Sequence, residues 1–284
     1  MATFASTAAN IDRQPRLPAN APSWTMLGRV LEHRALQYRR TYRASVFGSF
    51  VSPALFLTAM GLGLGGYVSG STTQTFEGAT YLQFLAPGLL AAALMQTAAG
   101  ESMFPILGGL QWNRIYHAMF ATPIRPRDIA LGNIVWITIR LTLVGTVFAL
   151  VSVAFGAVAA PALLVLAIPA AVLTGLAFAT PIVAFAATQR RPDVFSNIFR
   201  FGITPLFLLS GTFFPIESLP NWLQPFAWLS PLWHGVSLVR ALMLGTIADD
   251  PLLALIHIVV LSTIAIAGTI AAARTFDRRL VGGE

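Results

Sequence analysis

The sequence predicts an all-α integral membrane protein with six transmembrane helices and with both termini in the cytoplasm. Its 284 residues are 56% hydrophobic and only 10% charged, whereas soluble domains usually carry about 25% charged residues. A helix needs about 20 apolar residues to cross the hydrocarbon core of a bilayer, and six stretches meet or approach that length. The predicted spans are residues 46–66, 82–107, 129–157, 161–187, 197–214 and 252–273.

The distribution of arginine predicts the orientation of these spans. Fifteen of the 18 basic residues fall on one side of the six-span arrangement, at 13–43, 108–128, 190–191 and 274–279. The opposite loops carry acidic residues and a single arginine, Arg240. Because cytoplasmic loops are enriched in basic residues, the arginine-rich side is predicted to be cytoplasmic. This alternation from loop to loop also argues against a nucleic-acid surface, which the net charge of +7 would otherwise suggest.

Two residue types are absent from the chain, and their absence excludes several kinds of chemistry. Without cysteine there can be no disulfide, no thiolate nucleophile and no Cys-based metal or iron–sulfur site. All basic residues are arginine, and a P-loop needs a lysine on the nucleotide phosphates. We therefore expect no conventional P-loop ATPase in this chain. We also expect no metal site and no catalytic constellation, because the histidines are scattered over different segments: His33, His117, His234 and His257.

The segments outside the spans are predicted to have distinct roles. Residues 1–23 and 274–284 are expected to be cytoplasmic tails, the first disordered and without a signal peptide. Residues 24–43 are predicted to form a basic amphipathic helix in the cytoplasmic interface, with Leu27, Val30, Leu31 and Leu36 near one face. A solvated charged linker is the alternative. Residues 215–245 are apolar but interrupted by prolines, which predicts short helices that dip into the outer leaflet and return.

The loop between the second and third spans is predicted to contain one amphipathic helix at residues 110–121. Trp112, Tyr116 and Phe120 recur at i, i+4 and i+8, flanked by Ile115 and Met119. A helix of this kind suits insertion into a groove on a soluble partner. The alternative is that its apolar face rests on lipid.

Glu101 and Arg140 are predicted to lie inside spans two and three. Burying an ionisable residue within a span costs free energy, and such residues usually have a function. One hypothesis is therefore a Glu101–Arg140 pair inside the bundle. The other is two independent groups, with Arg140 snorkelling to the interface. Gln96 is a further candidate for a polar pathway. Gly61 and Gly65 are candidates for close helix packing in a dimer, or else for a flexible end of the first span.

Two motifs resemble those of ABC-2 permeases. The first is "GLQWNRIYHAMFATPIRPRDIALG", which contains Ala121-Thr122-Pro123, Asp128-Ile129 and Leu131-Gly132. The second is "TPLFLLSGTFFPIESLP" followed by Pro231-Leu232, His234, Leu238 and Arg240. Within the family the likeness is greatest to the NodJ-type permeases, which export lipo-chitooligosaccharide nodulation factors, and more distant to the daunorubicin-exporter type.

The resemblance implies a coupling helix at 110–121, an elbow helix at 24–43 and re-entrant helices at 215–245. It further implies two permease copies, as a homodimer or heterodimer, with two ATPase subunits that carry the ATP and Mg²⁺, so that this chain binds no cofactor. The residues implied in docking to the ATPase are Gln111, Trp112, Arg114, Ile115, Tyr116, Met119 and Phe120.

The function expected from these features is ATP-driven export of an amphiphilic or lipid-linked molecule, such as a drug or a glycolipid, across a bacterial cytoplasmic membrane. The alternative is a proton-coupled secondary transporter that uses Glu101 and Arg140. A membrane-bound enzyme is a third reading, which the missing catalytic constellation disfavours.

Overall fold

The computed structural model describes residues 23–39, 42–59, 63 and 79–282, and this part of the chain is built from α-helices. It begins with α1 (Ser23–Tyr38) and α2 (Tyr42–Leu57). The predicted elbow at 24–43 therefore ends earlier, at Tyr38, and the helix of predicted span one begins at Tyr42 rather than at residue 46. Residues 1–22 of the predicted tail, together with Gly61 and Gly65, lie outside the described residues.

The remaining helices follow in chain order. They are α3 (Tyr81–Trp112), α4 (Ile115–Phe120), α5 (Pro126–Ala154), α6 (Pro161–Thr188), α7 (193–209), α8 (Gln224–Trp228), α9 (Pro231–Leu244) and α10 (Pro251–Val281). Within the described part of the chain, α3, α5, α6 and α10 are long and apolar enough to cross a membrane. The six-span arrangement, with both termini inside, stays a prediction.

Helix starts are set by local capping and by proline. The Thr80 side chain accepts a hydrogen bond from the Gln83 amide, and the Gln83 side chain accepts one from the Thr80 amide, so a capping box begins α3. Pro126 and Pro251 occupy the first positions of α5 and α10. A backbone N–H at that position has no acceptor within the helix, so proline, which lacks the N–H, loses no helical hydrogen bond there. The bounds of the long helices therefore follow the caps rather than the ends of the apolar runs.

Helix α6 is the centre of the bundle, since α3, α5, α9 and α10 all pack against it. The approach of α10 is close: a Cβ added at Gly268 would lie 2.4 Å from Thr180 Oγ1 of α6. Small residues at such crossings let membrane helices pack backbone to backbone. The buried core on this side is accordingly rich in alanine, for example Ala171, Ala179 and Ala187.

The stretch from 193 to 245 differs in part from its prediction. Helix α7 contains a π-helical turn at Phe199–Ile203 and ends at Leu209, before the predicted end of span five at residue 214. The chain then turns at Gly211, whose φ of +76° favours glycine. A 3₁₀ turn at Ile216–Ser218 precedes α8 and α9, and α9 packs against α3, α6 and α10. Whether these short helices re-enter the membrane stays a prediction.

The helix that contains predicted span six extends past residue 273 into the segment predicted to be a cytoplasmic tail, and where the membrane ends along it stays a prediction. Helix α10 continues to Val281, about two turns further. Phe276 and Leu280 are buried in that extension, and this burial holds the helix together beyond the apolar run.

Candidate functional site

The linker between α3 and α5 carries the residues predicted to couple to a partner, and it is not a single helix. Helix α3 ends in a π-helical turn at Gly108–Trp112, and α4 begins at Ile115. Between them Arg114 has a φ of +47°, in the left-handed region that a side chain disfavours. This residue interrupts the helical path. The prediction of one helix over 110–121 is therefore wrong.

Because of that break, the three predicted aromatic residues do not share a face. Trp112 is 59% exposed and Phe120 is 38% exposed, whereas Tyr116 is only 2% exposed. Arg114 is also exposed. We call Trp112, Arg114 and Phe120 the linker surface, since these are the predicted docking residues that solvent reaches most freely.

The other predicted docking residues hold the linker to the bundle. Ile115 and Met119 are partly buried and pack against the hydrophobic core. The side-chain amide of Gln111 donates a hydrogen bond to the backbone carbonyl of Gln189, just after α6, at 3.3 Å. These contacts fix the position from which the linker surface is presented.

Tyr116 joins α4 to α1 and α5. Its phenol donates a hydrogen bond to Asn133 Oδ1 of α5 at 2.9 Å and accepts one from Arg34 Nη2 of α1 at 2.6 Å. Arg34 Nε also donates to Asn133 Oδ1 at 2.9 Å. Asn133 is held in turn through its amide nitrogen, which donates to the Ile129 carbonyl at 2.8 Å. We call Arg34, Tyr116 and Asn133 the three-helix node.

The surroundings of Tyr116 hold it inside the bundle, while its predicted role in docking stays a prediction. Its ring contacts that of Phe276 in α10, with centroids 5.7 Å apart and planes at 60°. A Cβ added at Gly109 would lie 2.4 Å from the same ring. Burial raises the pKa of the Tyr116 phenol, although Arg34 opposes the shift. The phenol is therefore neutral at pH 7 and keeps the proton that it donates.

Helix α1 packs along α5 through a face that includes Val30 of the predicted apolar face but not Leu36. Val30 is 1% exposed, and a Cβ added at Gly132 would lie 2.6 Å from its Cγ1 atom. Leu36, from the predicted apolar face, is 57% exposed. Val30, Arg34 and Tyr38, spaced four residues apart, contact α5. The buried Val30 does not fit the alternative of a solvated linker.

The structure brings Glu101 and Arg140 together. Arg140 Nε donates to Glu101 Oε1 at 3.1 Å. The Arg140 side chain is 9% exposed and the Glu101 side chain is 26% exposed. Arg140 Nη1 also donates to the Tyr38 hydroxyl of α1 at 2.7 Å, and the guanidinium carbon lies 4.5 Å from the centre of the Tyr38 ring. The sequence did not identify Tyr38, because a tyrosine in an amphipathic helix carries no distinctive signal.

Gln96, the other candidate for a polar pathway, is not part of this contact. It lies five positions before Glu101, which places it about 140° around α3. Its side chain is exposed. Its assignment to a pathway stays a prediction.

Two histidines from different segments of the chain meet at the other end of the bundle. Nδ1 of His234 in α9 lies 2.7 Å from Nδ1 of His257 in α10. Trp233 packs edge-on against both rings, with centroid distances of 4.9 and 5.1 Å. The packing of α9 against α10 brings them together, which sequence spacing alone does not predict.

Arg240, the single arginine in the predicted outer loops, also has a structural role there. It donates to the Gly211 carbonyl at 2.7 Å and to the Phe84 carbonyl at 3.3 Å, and its guanidinium carbon lies 3.9 Å from the centre of the Phe84 ring. It thereby joins α9 to α3 and to the turn after α7.

Comparison with known proteins agrees with the features described. The family model for the ABC-2 type transporter matches residues 26–244. Nodulation protein J of Bradyrhizobium diazoefficiens is 32% identical over 265 residues, which cover 93% of this chain and 97% of that protein. Nodulation protein J of Rhizobium leguminosarum bv. viciae is 33% identical over 229 residues, 81% of this chain and 85% of the relative. The inner membrane transport permease YadH of Escherichia coli is 25% identical over 217 residues, 76% and 83% of the two chains.

Proposed function

The chain belongs to the ABC-2 type transporter family, and from this premise we propose that it is the membrane-spanning subunit of an ATP-driven exporter. Family membership makes it a transporter subunit rather than an enzyme. In the proposal a separate ATPase subunit binds ATP and Mg²⁺, and two copies of that subunit serve two permease copies. The absence of lysine from this chain supports that division of labour.

The linker surface is the proposed contact with the ATPase subunit. Trp112 at 59% exposed carries this proposal, because a largely exposed tryptophan beside an anchored segment is an effective docking residue. Tryptophan and arginine are enriched among the residues that dominate binding energy at interfaces, and the linker surface offers both. Because Tyr116 already holds the linker in place, the linker loses less conformational entropy on docking than a mobile segment would.

The proposed cargo is an amphiphilic or lipid-linked molecule, and the proposed location is a bacterial cytoplasmic membrane. The likeness to nodulation proteins J makes a lipidated saccharide one candidate. The name of the Escherichia coli relative supports the inner membrane as the location. Export rather than import, and a cargo route between two permease copies, rest on the resemblance to the family.

Co-purification of the ATPase subunit tests the docking surface. We expect Trp112→Ala to weaken its binding at least about 30-fold, as the loss of a hot-spot residue does, and Phe120→Ala to weaken it less. Trp222→Ala is the matched control, because Trp222 is 71% exposed but lies in the predicted outer segment. If Trp112→Ala binds the ATPase as tightly as the control does, the linker surface is not the docking site.

A transport assay tests the energy source. Export should stop when the ATPase subunit is deleted or carries an inactive P-loop. Transport that continues under a proton gradient without that subunit would contradict the proposal and favour the proton-coupled alternative with Glu101 and Arg140.

A further inference from the structure

We propose that a chamber between α1, α3 and α5 binds the phosphate headgroup of an anionic membrane lipid. The chamber is two adjoining cavities of about 250 and 320 Å³, which share Arg34, Gln37 and Pro105 in their walls. Glu101 and Arg140 belong to the first cavity, and the three-helix node borders the second through Tyr116. We call the two together the elbow chamber.

The elbow chamber carries an excess positive charge. Of the described residues that line it, Arg34, Arg140 and Glu101 are charged, and Arg140 and Glu101 form an ion pair. Arg34 bonds only to neutral groups, Asn133 and Tyr116, and no described carboxylate lies within ion-pair distance of it. Burial and the charge of Arg34 lower the pKa of His33, which is therefore neutral at pH 7. The described lining thus has one uncompensated guanidinium.

A guanidinium in this position favours a phosphate ligand. Arginine donates charge-assisted hydrogen bonds to phosphate, and a charge beside a membrane interior is costly without a counter-ion. Arg34 uses Nε and Nη2 on the node, while Nη1 makes no hydrogen bond to the described residues. Gln37 likewise makes no hydrogen bond to them and supplies an amide beside the guanidinium.

Aromatic and apolar residues at the chamber indicate a lipid rather than a soluble anion. Tyr38 and Trp136 line it with their rings edge to face, 5.6 Å between centroids, and both residue types concentrate at the headgroup level of membranes. Phe104 and Trp112 line the second cavity and are 40% and 59% exposed. A free phosphate gains nothing from these surfaces, whereas acyl chains do. Basic pockets between helices on the cytoplasmic side of membrane proteins commonly hold lipid headgroups.

Lipid titration of the purified permease tests this inference. The delipidated chain is titrated in detergent with phosphatidylglycerol, phosphatidylcholine or inorganic phosphate, and its thermal unfolding midpoint is followed. We expect phosphatidylglycerol to raise the midpoint more than either other ligand, since binding to the folded state stabilises it. Arg34→Gln should lower the apparent affinity for phosphatidylglycerol at least about tenfold.

A second variant keeps the test decisive if Arg34→Gln disturbs the node. Gln37→Glu alters an exposed side chain that bonds to no described residue, and its carboxylate cancels the excess charge, so it should also lower the affinity about tenfold. Arg39→Gln is the matched control, because Arg39 directly follows the same helix, is exposed and does not line the chamber.

Three outcomes would overturn the proposal. The first is that phosphatidylcholine raises the unfolding midpoint as much as phosphatidylglycerol does, and the second is that Gln37→Glu binds phosphatidylglycerol like the wild type. The third is that inorganic phosphate alone reproduces the effect, which would assign the chamber to a soluble anion. The assay contains no ATPase subunit, so each of these results leaves the proposed exporter function untouched.

Discussion

Replacing Tyr116 by phenylalanine is expected to destabilise the permease itself, even without any partner. The change removes a hydroxyl that donates to Asn133 at 2.9 Å and accepts from Arg34 at 2.6 Å. A neutral hydrogen bond contributes about 0.5–1.5 kcal/mol and one to a charged group about 1.5–3 kcal/mol. Because Arg34 and Asn133 still bond to each other, we expect the lower part of the combined range, about 2 kcal/mol. The ring remains against Phe276, so packing is retained.

The assay is unfolding of the purified chain in mixed micelles, followed by circular dichroism as denaturing detergent is added. Tyr116→Ala should cost more than Tyr116→Phe, because it also empties the space of a buried ring, which typically costs about 3–5 kcal/mol. Trp112→Ala is the control with the opposite expected result. It alters an exposed side chain and should change the unfolding free energy by less than about 0.5 kcal/mol while it weakens ATPase binding.

One result would refute the reasoning about Tyr116. If Tyr116→Phe unfolds like the wild type yet fails to bind the ATPase subunit, the phenol faces the partner, as the sequence predicted. The three-helix node would then not exist in the purified protein, and Arg34 would need another explanation for its burial against α5.

Two further predictions concern the contacts of α5. Gly132→Ala should destabilise the chain by about 1–3 kcal/mol, because its Cβ would lie 2.6 Å from Val30 Cγ1. Gly100→Ala is the control, since nothing lies within 4 Å of the added atom. Equal unfolding midpoints for these two variants would show that α1 does not pack against α5 at Gly132. Glu101→Arg and Arg140→Glu should each impair assembly, since breaking a buried pair costs up to about 3–5 kcal/mol and the partial exposure of Glu101 reduces that figure. The double variant should recover part of the loss, and a swapped chain no better assembled than either single variant would show that the pair contributes nothing.

The long helices were predictable because the bilayer imposes a length and an apolar composition on any helix that crosses it. The ends of these helices were less predictable from the sequence. Helix α3 continues to Trp112 and α10 to Val281, well beyond the apolar runs, because helix ends depend on caps and packing partners. The burial of Phe276 against Tyr116 is a contact between distant parts of the chain that hydropathy does not report.

The candidate site was predictable only where a residue type is costly in its predicted position. Glu101 and Arg140 stood out because charges inside spans are rare. The burial of Tyr116 was not foreseen because i, i+4 spacing assumes an unbroken helix, and nothing in the sequence marks Arg114 as left-handed. Asn133 was missed, although a polar amide within an apolar run is a usable signal, since buried polar groups need partners.

The positions of the two polar contacts between α1 and α5 determine which helices would move together if the linker were displaced. Asn133 and Arg140 are seven residues apart on α5, about 10 Å along the helix, and each is bonded to α1. Two such contacts at different heights oppose both sliding and tilting of α1 against α5. Arg140 also holds α3 through Glu101, and α4 joins the same unit through Tyr116. A force on Trp112 would therefore move α1, α3, α4 and α5 together, because close-packed, hydrogen-bonded contacts shift as units rather than deform gradually.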